Sequence, residues 1–262
     1  MNTADRILIA EFLESEHDRF NRPSFIEDDP ISIPHRYSRK EDREIAGFLT
    51  AVISWGQRGT ILKNATTLMM LMEDAPHEFI RDCGKVDLAR FEKFVHRTFN
   101  GVDCVFFVRC LMDVYRIKGG LHSSFKSALN HSGNNLGTAL HLFRKDFFGN
   151  RLPGRSSKHF SDPLSNSAAK RLCMYLRWMV RRDDRGVDFG IWNDVSPSVL
   201  HCPLDVHSGR VARELGLLGR NQNDWTAVIE LTRSLQEFDP NDPCRFDFSL
   251  FGGGVSERNS VN

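Results

Sequence analysis

Two ionisable residues sit where helical patterns begin. Lys170 lies in the first turn of "AAKRLCMYLRWMVRR" (168–182), and Asp205 stands before "VHSGRVARELGLL". A cation at a helix N-terminus works against the helix dipole. The same positive end attracts phosphate and favours the neutral amine that a nucleophilic lysine needs. Asp205 is a preferred helix-capping residue, with Pro203 limiting the chain ahead of it. Capping accounts for its type and place; chemistry at its carboxylate is the other reading. His201, Cys202, Asp205 and His207 are also close in sequence and are all zinc or iron ligand types. His17 and Asp18 form a further neighbouring pair. No second ligand group with known spacing accompanies either set, so no metal is expected and a metal-dependent hydrolase is the lesser alternative.

These residues need elements to hold them. On a wheel at about 100° per residue, 168–182 places Leu172, Tyr175, Leu176, Met179 and Val180 on one side. Lys170, Met174, Arg177 and Arg181 stack opposite, flanked by Arg171 and Trp178. The wheel predicts one core face and one exposed cationic stripe. From 151 to 182 there are eight basic residues against one acid, Asp162, in a chain whose net charge is only +1. That local excess, and not the total, points to a polyanionic partner.

Elsewhere helical period dominates. It predicts helices over 4–17, 40–55, 60–73, 87–98, 103–117, 121–129, 134–148, 206–215, 224–237 and 244–251. Ser38 and Glu41 have capping-box spacing. Sustained period-2 alternation is absent, so the expected fold class is all-α, in two helical subdomains with a cleft between them. Loose stretches are expected at 18–38, 149–167 and after 252. The phenylalanines of 104–115 read as core, and Arg97 and Asp103 as a possible ion pair.

The 262 residues are 40% hydrophobic and 26% charged, ordinary for a soluble globular chain. No apolar run reaches a membrane-spanning length, and the N-terminus lacks a signal-peptide pattern. Six cysteines without a C-x-x-C pair read as reduced buried thiols, which fits a cytoplasmic location.

The segment "CPLDVHSGRVARELGLL" resembles the one that carries the catalytic aspartate in helix-hairpin-helix DNA glycosylases of the endonuclease III and 8-oxoguanine glycosylase superfamily. That segment reads V-D-x-H-x-x-R-V-A-x-R-L-G-L. Leu204, Asp205, His207, Arg210, Val211, Ala212, Leu215, Gly216 and Leu217 fit in register. Upstream, Lys170 in "SNSAAKRL" takes the place of the lysine opening the second hairpin helix. "IAGFLTAVISWGQRGTILKNA" is similar to the early helix and turn, with Gln57 matching a glutamine that reaches into DNA. The chain as a whole resembles a bacterial family of uncharacterised proteins, a remote branch of this superfamily.

Two features depart from the pattern. The family hairpin L-P-G-V-G-x-K is here Leu164-Ser165-Asn166-Ser167-Ala168-Ala169-Lys170, without glycines, so the hairpin is a degenerate one. Lys170 and Asp205 are also farther apart in sequence than in the common branches. The four-cysteine iron–sulfur loop is missing, so no cofactor is expected.

The resemblance implies a single unit over 1–262, with an N-terminal helical part (39–150), a hairpin and catalytic segment (151–218) and C-terminal helices (219–262). It implies a monomer that flips a damaged base, with an oxidised purine as the candidate, out of double-stranded DNA. Lys170 would attack the sugar C1′ and form a Schiff base, with Asp205 stabilising the developing charge. Gln57, Asn166, Ser167, Arg171, Arg177, Trp178, Arg181, His207 and Arg210 would contact DNA, and Trp55 or Trp178 would stack on a base. A nucleic-acid-binding protein on the same scaffold, without the chemistry, is the alternative.

Overall fold

The computed structural model describes residues 3–252. Helices build it, as the apolar spacing predicts, and among the described residues β structure amounts to two strands of two residues each and one isolated antiparallel bridge, Ser167 with Asp224. After α1 (Thr3–Phe20) come α2 (Ser32–His35), α3 (Lys40–Val52), α4 (Arg58–Leu71), α5 (Pro76–Asp82) and α6 (Lys85–Leu88). A ribbon of β1 (Val95–His96) and β2 (Phe99–Asn100) precedes α7 (Gly101–Ile117), α8 (Gly120–His131) and α9 (Leu136–Phe148). Then follow α10 (Lys170–Val180), α11 (Val206–Glu214) and α12 (Trp225–Gln236). A last helical stretch covers 247–252. The tail after 252 lies outside the described residues.

The chain forms two compact units. Ile26–Asp162 make one; residues up to Phe25 join those from Pro163 onward in the other. The grouping is not linear, because α1 belongs with the C-terminal part of the chain.

In the Ile26–Asp162 unit, α3 is buried without interruption from Glu44 to Val52. Its Phe48 meets Phe147 (ring centroids 5.1 Å apart) and Phe160 (5.7 Å), and Phe107 packs on Phe147 at 5.5 Å. Such tilted and edge contacts suit the ring quadrupoles and add to burial of each face. Phe107 is core, as its place in α7 predicts. Glu44, 2% exposed, is answered by the Tyr115 hydroxyl, which donates at 2.7 Å, and by Lys40 at 3.8 Å. A buried carboxylate without such partners would be costly.

Two local expectations are corrected here. The helix expected over 87–98 ends at Leu88, and the chain reverses through the β ribbon at Arg97, whose φ is 55°. The stop is written in the next element. Asn100 caps α7 by accepting from Asp103 N (3.4 Å), and Asp103 Oδ2 accepts from Asn100 N (3.1 Å). That reciprocal cap fixes the start of α7. The Ser38–Glu41 capping box does not form: α3 is capped by the Arg39 backbone, and Glu41 accepts from Arg39 Nε at 3.0 Å.

In the other unit, α1 is tied to the C-terminal segment by two buried polar contacts. His17 Nδ1 lies 2.9 Å from the Arg245 carbonyl, and Ser249 Oγ donates to the Leu13 carbonyl at 2.6 Å. Burial holds His17 neutral, pulling its pKa down to about 4. All six cysteines are free and buried. Among the described residues no helix is long and apolar enough to cross a membrane.

Candidate active site

The site lies in the unit that contains α10–α12 and starts from a turn. After the 3-10 turn Pro163–Ser165, Asn166 adopts φ 59°, and Ala169 adopts φ 47°, ψ 30°. Asparagine tolerates the left-handed region; for alanine it costs about 1 kcal/mol. Asn166 thus supplies, without glycine, a left-handed residue where the hairpin pattern has its first glycine. Ser167 Oγ accepts from Ala169 N (3.3 Å), and the Ala169 carbonyl accepts from Leu172 N (2.9 Å) and Cys173 N (3.0 Å), which starts α10 at Lys170.

Asp205 is the N-cap of α11. Its Oδ1 accepts from His207 N at 2.8 Å and Ser208 N at 2.9 Å, while Asp205 N donates to Ser208 Oγ at 2.9 Å. These bonds aim the carboxylate and leave Oδ2 for another partner. That partner is Lys170 Nζ, 2.5 Å away. The pair is neither sealed nor fully solvated: the Lys170 side chain is 40% exposed and that of Asp205 30%. For Asp205, burial pushes the pKa up. The Lys170 charge, its hydrogen bond and the Ser208 and His207 amides outweigh this, and the carboxyl ends below the usual range. It is ionised at neutral pH.

A third element braces both halves of the pair. Asp224 caps α12, its Oδ1 accepting from Ala227 N (3.1 Å), and its Oδ2 accepts from Asn166 Nδ2 (3.1 Å) in the turn before Lys170. Arg220 grips both Asp224 oxygens, at 2.8 and 2.5 Å. Next to it, Asn223 Nδ2 donates to the Asp205 carbonyl at 2.9 Å, and Asn223 Oδ1 accepts from Arg213 Nη2 at 2.6 Å. Gly209 makes room for this: a Cβ there would lie 2.8 Å from Asn223 Oδ1. Residues 223–224 therefore tie the turn before α10 to the start of α11. Residue type and spacing do not point to them as part of a site, although an aspartate before "WTAVIELTRSLQ" is itself a cap signal.

Asp247 was also missed. It accepts from Arg177 Nη1 at 2.5 Å, and its ionisation is coupled to Lys170 and Asp205. Burial, opposed by Arg177 and Lys170, leaves its carboxyl above the usual range.

The predicted DNA contacts divide sharply. His207 and Arg210 are exposed on α11, Asn166 is exposed in the turn, and Ser167 is half-buried. Arg171 is half-buried, and burial pulls its guanidinium down to about 10. Gln57 belongs to the other unit, exposed at the start of α4. The expected cationic stripe, however, is corrected. Arg177 and Arg181 are only 4% and 2% exposed, and Trp178 is fully buried. Acids beyond the end of α10, two of them near (Asp183, Asp188) and two distant in the chain (Asp242, Asp247), neutralise both arginines. Arg177 meets Asp247 and Asp188, and Arg181 meets Asp183, Asp188 and Asp242. Phe248 lies against the Arg177 guanidinium, 4.3 Å from ring centroid to Cζ. These three residues hold the core and present nothing to DNA.

The four candidate ligand types near Asp205 are not gathered around one point. Cys202 is buried, His201 stacks on Trp225 (5.2 Å, 5°), Asp205 is paired with Lys170, and His207 is exposed. Among the described residues no group of three or more histidine, cysteine, aspartate or glutamate side chains is placed to hold a metal ion. Arg97 and Asp103 are not partners: Asp103 meets Arg155 at 3.3 Å and accepts from Ser156 Oγ at 2.7 Å.

What the site offers is an amine against an ionised carboxylate, each at a helix start, partly open to solvent. No curated protein and no solved structure matches the chain. A family model described as "Protein of unknown function (DUF2400)" matches residues 29–256, a span that takes in α10, α11 and the Lys170–Asp205 pair, and the chain belongs to that family.

Proposed function

We propose that this protein is a DNA glycosylase with AP-lyase chemistry, using Lys170 as nucleophile and Asp205 as its charge partner. The observation that carries the reading is the 2.5 Å contact between Lys170 Nζ and Asp205 Oδ2, 35 residues apart in sequence and both partly exposed. The left-handed Asn166 supports it, since it puts a positive φ where the resembled hairpin pattern has its first glycine.

In the proposed reaction, Nζ releases a proton to the solvent that reaches the pair and attacks C1′ of a flipped nucleotide. The C1′–N bond breaks, its electron pair leaves with the base, and the base takes up a proton. Asp205 stays ionised and faces the positive charge that develops on the sugar. Ring opening gives a Schiff base on Nζ. Loss of a C2′ proton then expels the 3′ phosphate by β-elimination. Exposed His207 and Arg210, on the helix Asp205 caps, are suited to the flanking phosphates.

The second reading is a nucleic-acid-binding protein without the chemistry. It is favoured by the self-satisfied arrangement of Asp205, with Oδ1 used by the cap and Oδ2 by Lys170. Borohydride trapping on oligonucleotides containing an abasic site or 8-oxoguanine separates the two. A covalent adduct lost in Lys170→Gln supports the lyase. Binding without any adduct supports the second reading.

A further inference from the structure

The Ile26–Asp162 unit carries a surface that the Lys170 chemistry does not use. Three segments far apart in sequence converge there around Trp55. The first links α3 to α4 and runs into α4 (54–64), the second leads into the β ribbon and includes it (93–100), and the third leads into the 3-10 helix Gly154–His159 (151–159). Trp55 stacks on His159 (5.6 Å, 20°) and meets the edge of His96 (5.0 Å, 85°). His96 Nε2 lies 3.1 Å from the Trp55 carbonyl, and its Nδ1 lies 2.9 Å from Asn64 Nδ2. Arg155 Nη2 donates to the Thr98 carbonyl at 3.1 Å. Gly56, at φ +103°, leaves space for Arg97, whose Cδ and Nη1 would sit 3.1 Å from a Cβ there. The ring is therefore held by partners that are themselves bonded, and it remains half-buried.

The three segments contain seven lysines and arginines and no aspartate or glutamate, and two of the seven are paired from outside, Arg151 with Asp113 (2.7 Å) and Arg155 with Asp103 (3.3 Å). Lys63, Arg97, Arg155 and Lys158 are exposed. Asp103, which anchors Arg155, is fully buried, and Glu92 is the exposed acid at the border. A braced indole with guanidinium and ammonium groups around it is the chemistry that holds an unpaired nucleic-acid strand. Bases stack on the ring and phosphates meet the cations.

We propose that this surface binds single-stranded nucleic acid, with Trp55 as the stacking platform. The proposal extends the DNA reading above but does not depend on catalysis by Lys170.

The test uses the full-length Lys170→Gln protein and a twelve-residue oligothymidylate, followed by tryptophan emission. Trp178 and Trp192 are fully buried and Trp225 is 8% exposed, so quenching reports chiefly on Trp55. Quenching is expected on binding, and absent in Trp55→Phe, with affinity reduced about ten-fold. The triple variant K63A/K93A/K158A removes three exposed lysines and leaves the stacked rings and the Arg155 bonds in place. It should flatten the dependence of log affinity on log salt by about 2, at roughly 0.7 per lost phosphate contact. Equal binding of a heparin fragment without quenching would overturn the proposal, as would unchanged salt dependence in the triple variant. Failure of borohydride trapping with quenching intact would reject the lyase and leave this surface standing. Trapping with neither quenching nor a salt effect would do the reverse.

Discussion

Replacing Arg181 with methionine tests whether α10 is a structural strut or a DNA-binding stripe. The Arg181 guanidinium makes three bonds of 2.8 Å: Nε to Asp242, Nη1 to Asp188 and Nη2 to Asp183. Asp188 is fully buried at its side chain, and Asp183 and Asp242 are 20% exposed. Hydrogen bonds to charged groups contribute about 1.5–3 kcal/mol each, but the three losses do not add. Arg177 Nε remains 3.3 Å from Asp188, and Asn21 Nδ2 remains bonded to Asp183 at 2.7 Å. Breaking a buried pair by removing one partner costs about 3–5 kcal/mol, so R181M should lose about 4 kcal/mol at pH 7. That is a large part of a typical domain's stability. Arg181→Lys should restore only part of it, because one ammonium cannot fork to three carboxylates. Below about pH 5 the deficit should narrow as the orphaned carboxylates take up protons. Urea denaturation followed by circular dichroism measures the loss, with oligonucleotide affinity measured below the midpoint. A variant within 1 kcal/mol of the parent that binds DNA less well would refute the reasoning and return Arg181 to the surface.

Gly209→Ala should destabilise the protein by about 1 kcal/mol despite alanine's better helix propensity, because its Cβ would displace Asn223 from the Asp205 carbonyl. Gly59→Ala, where no atom lies within 4 Å, should instead stabilise by up to about 1 kcal/mol; thermal melts of the two variants check the contrast. His17 has a folded-state pKa of about 4 against 6.5 when unfolded, so the unfolded chain binds the extra proton between these values. Stability should be full above about pH 7 and fall by up to about 3 kcal/mol as pH drops through that window. Urea midpoints across the range should show the slope, and His17→Gln should flatten it.

Much of the fold is written locally. The apolar spacing of α10 identifies Leu172, Tyr175, Leu176, Met179 and Val180, all of them buried. Asp205 is a cap by residue type, and it is a cap in the structure. The opposite face of α10 misleads because a charge pattern says nothing about partners. Arg177 and Arg181 look like a solvated stripe until Asp183, Asp188, Asp242 and Asp247 arrive from beyond the helix to neutralise them. The β ribbon escapes notice because two-residue strands carry no alternation. The Trp55 cluster is equally hidden, since His96 and His159 reach the ring from segments 41 and 104 positions away. The contact between Lys170 and Asp205 follows from the family resemblance and the residue types. Its bracing by Asn223 and Asp224 depends on tertiary packing.

Borohydride trapping tests the central claim most directly. The protein is incubated with a labelled duplex containing an abasic site, reduced, and resolved on a denaturing gel. The account predicts a protein–DNA adduct in the parent and none in Lys170→Gln. Asp205→Asn should keep the helix cap, and with it the fold, but slow trapping by at least ten-fold, because the counter-charge 2.5 Å from Nζ is gone. An adduct that persists in Lys170→Gln, or an Asp205→Asn protein that traps at the parent rate, would contradict the account.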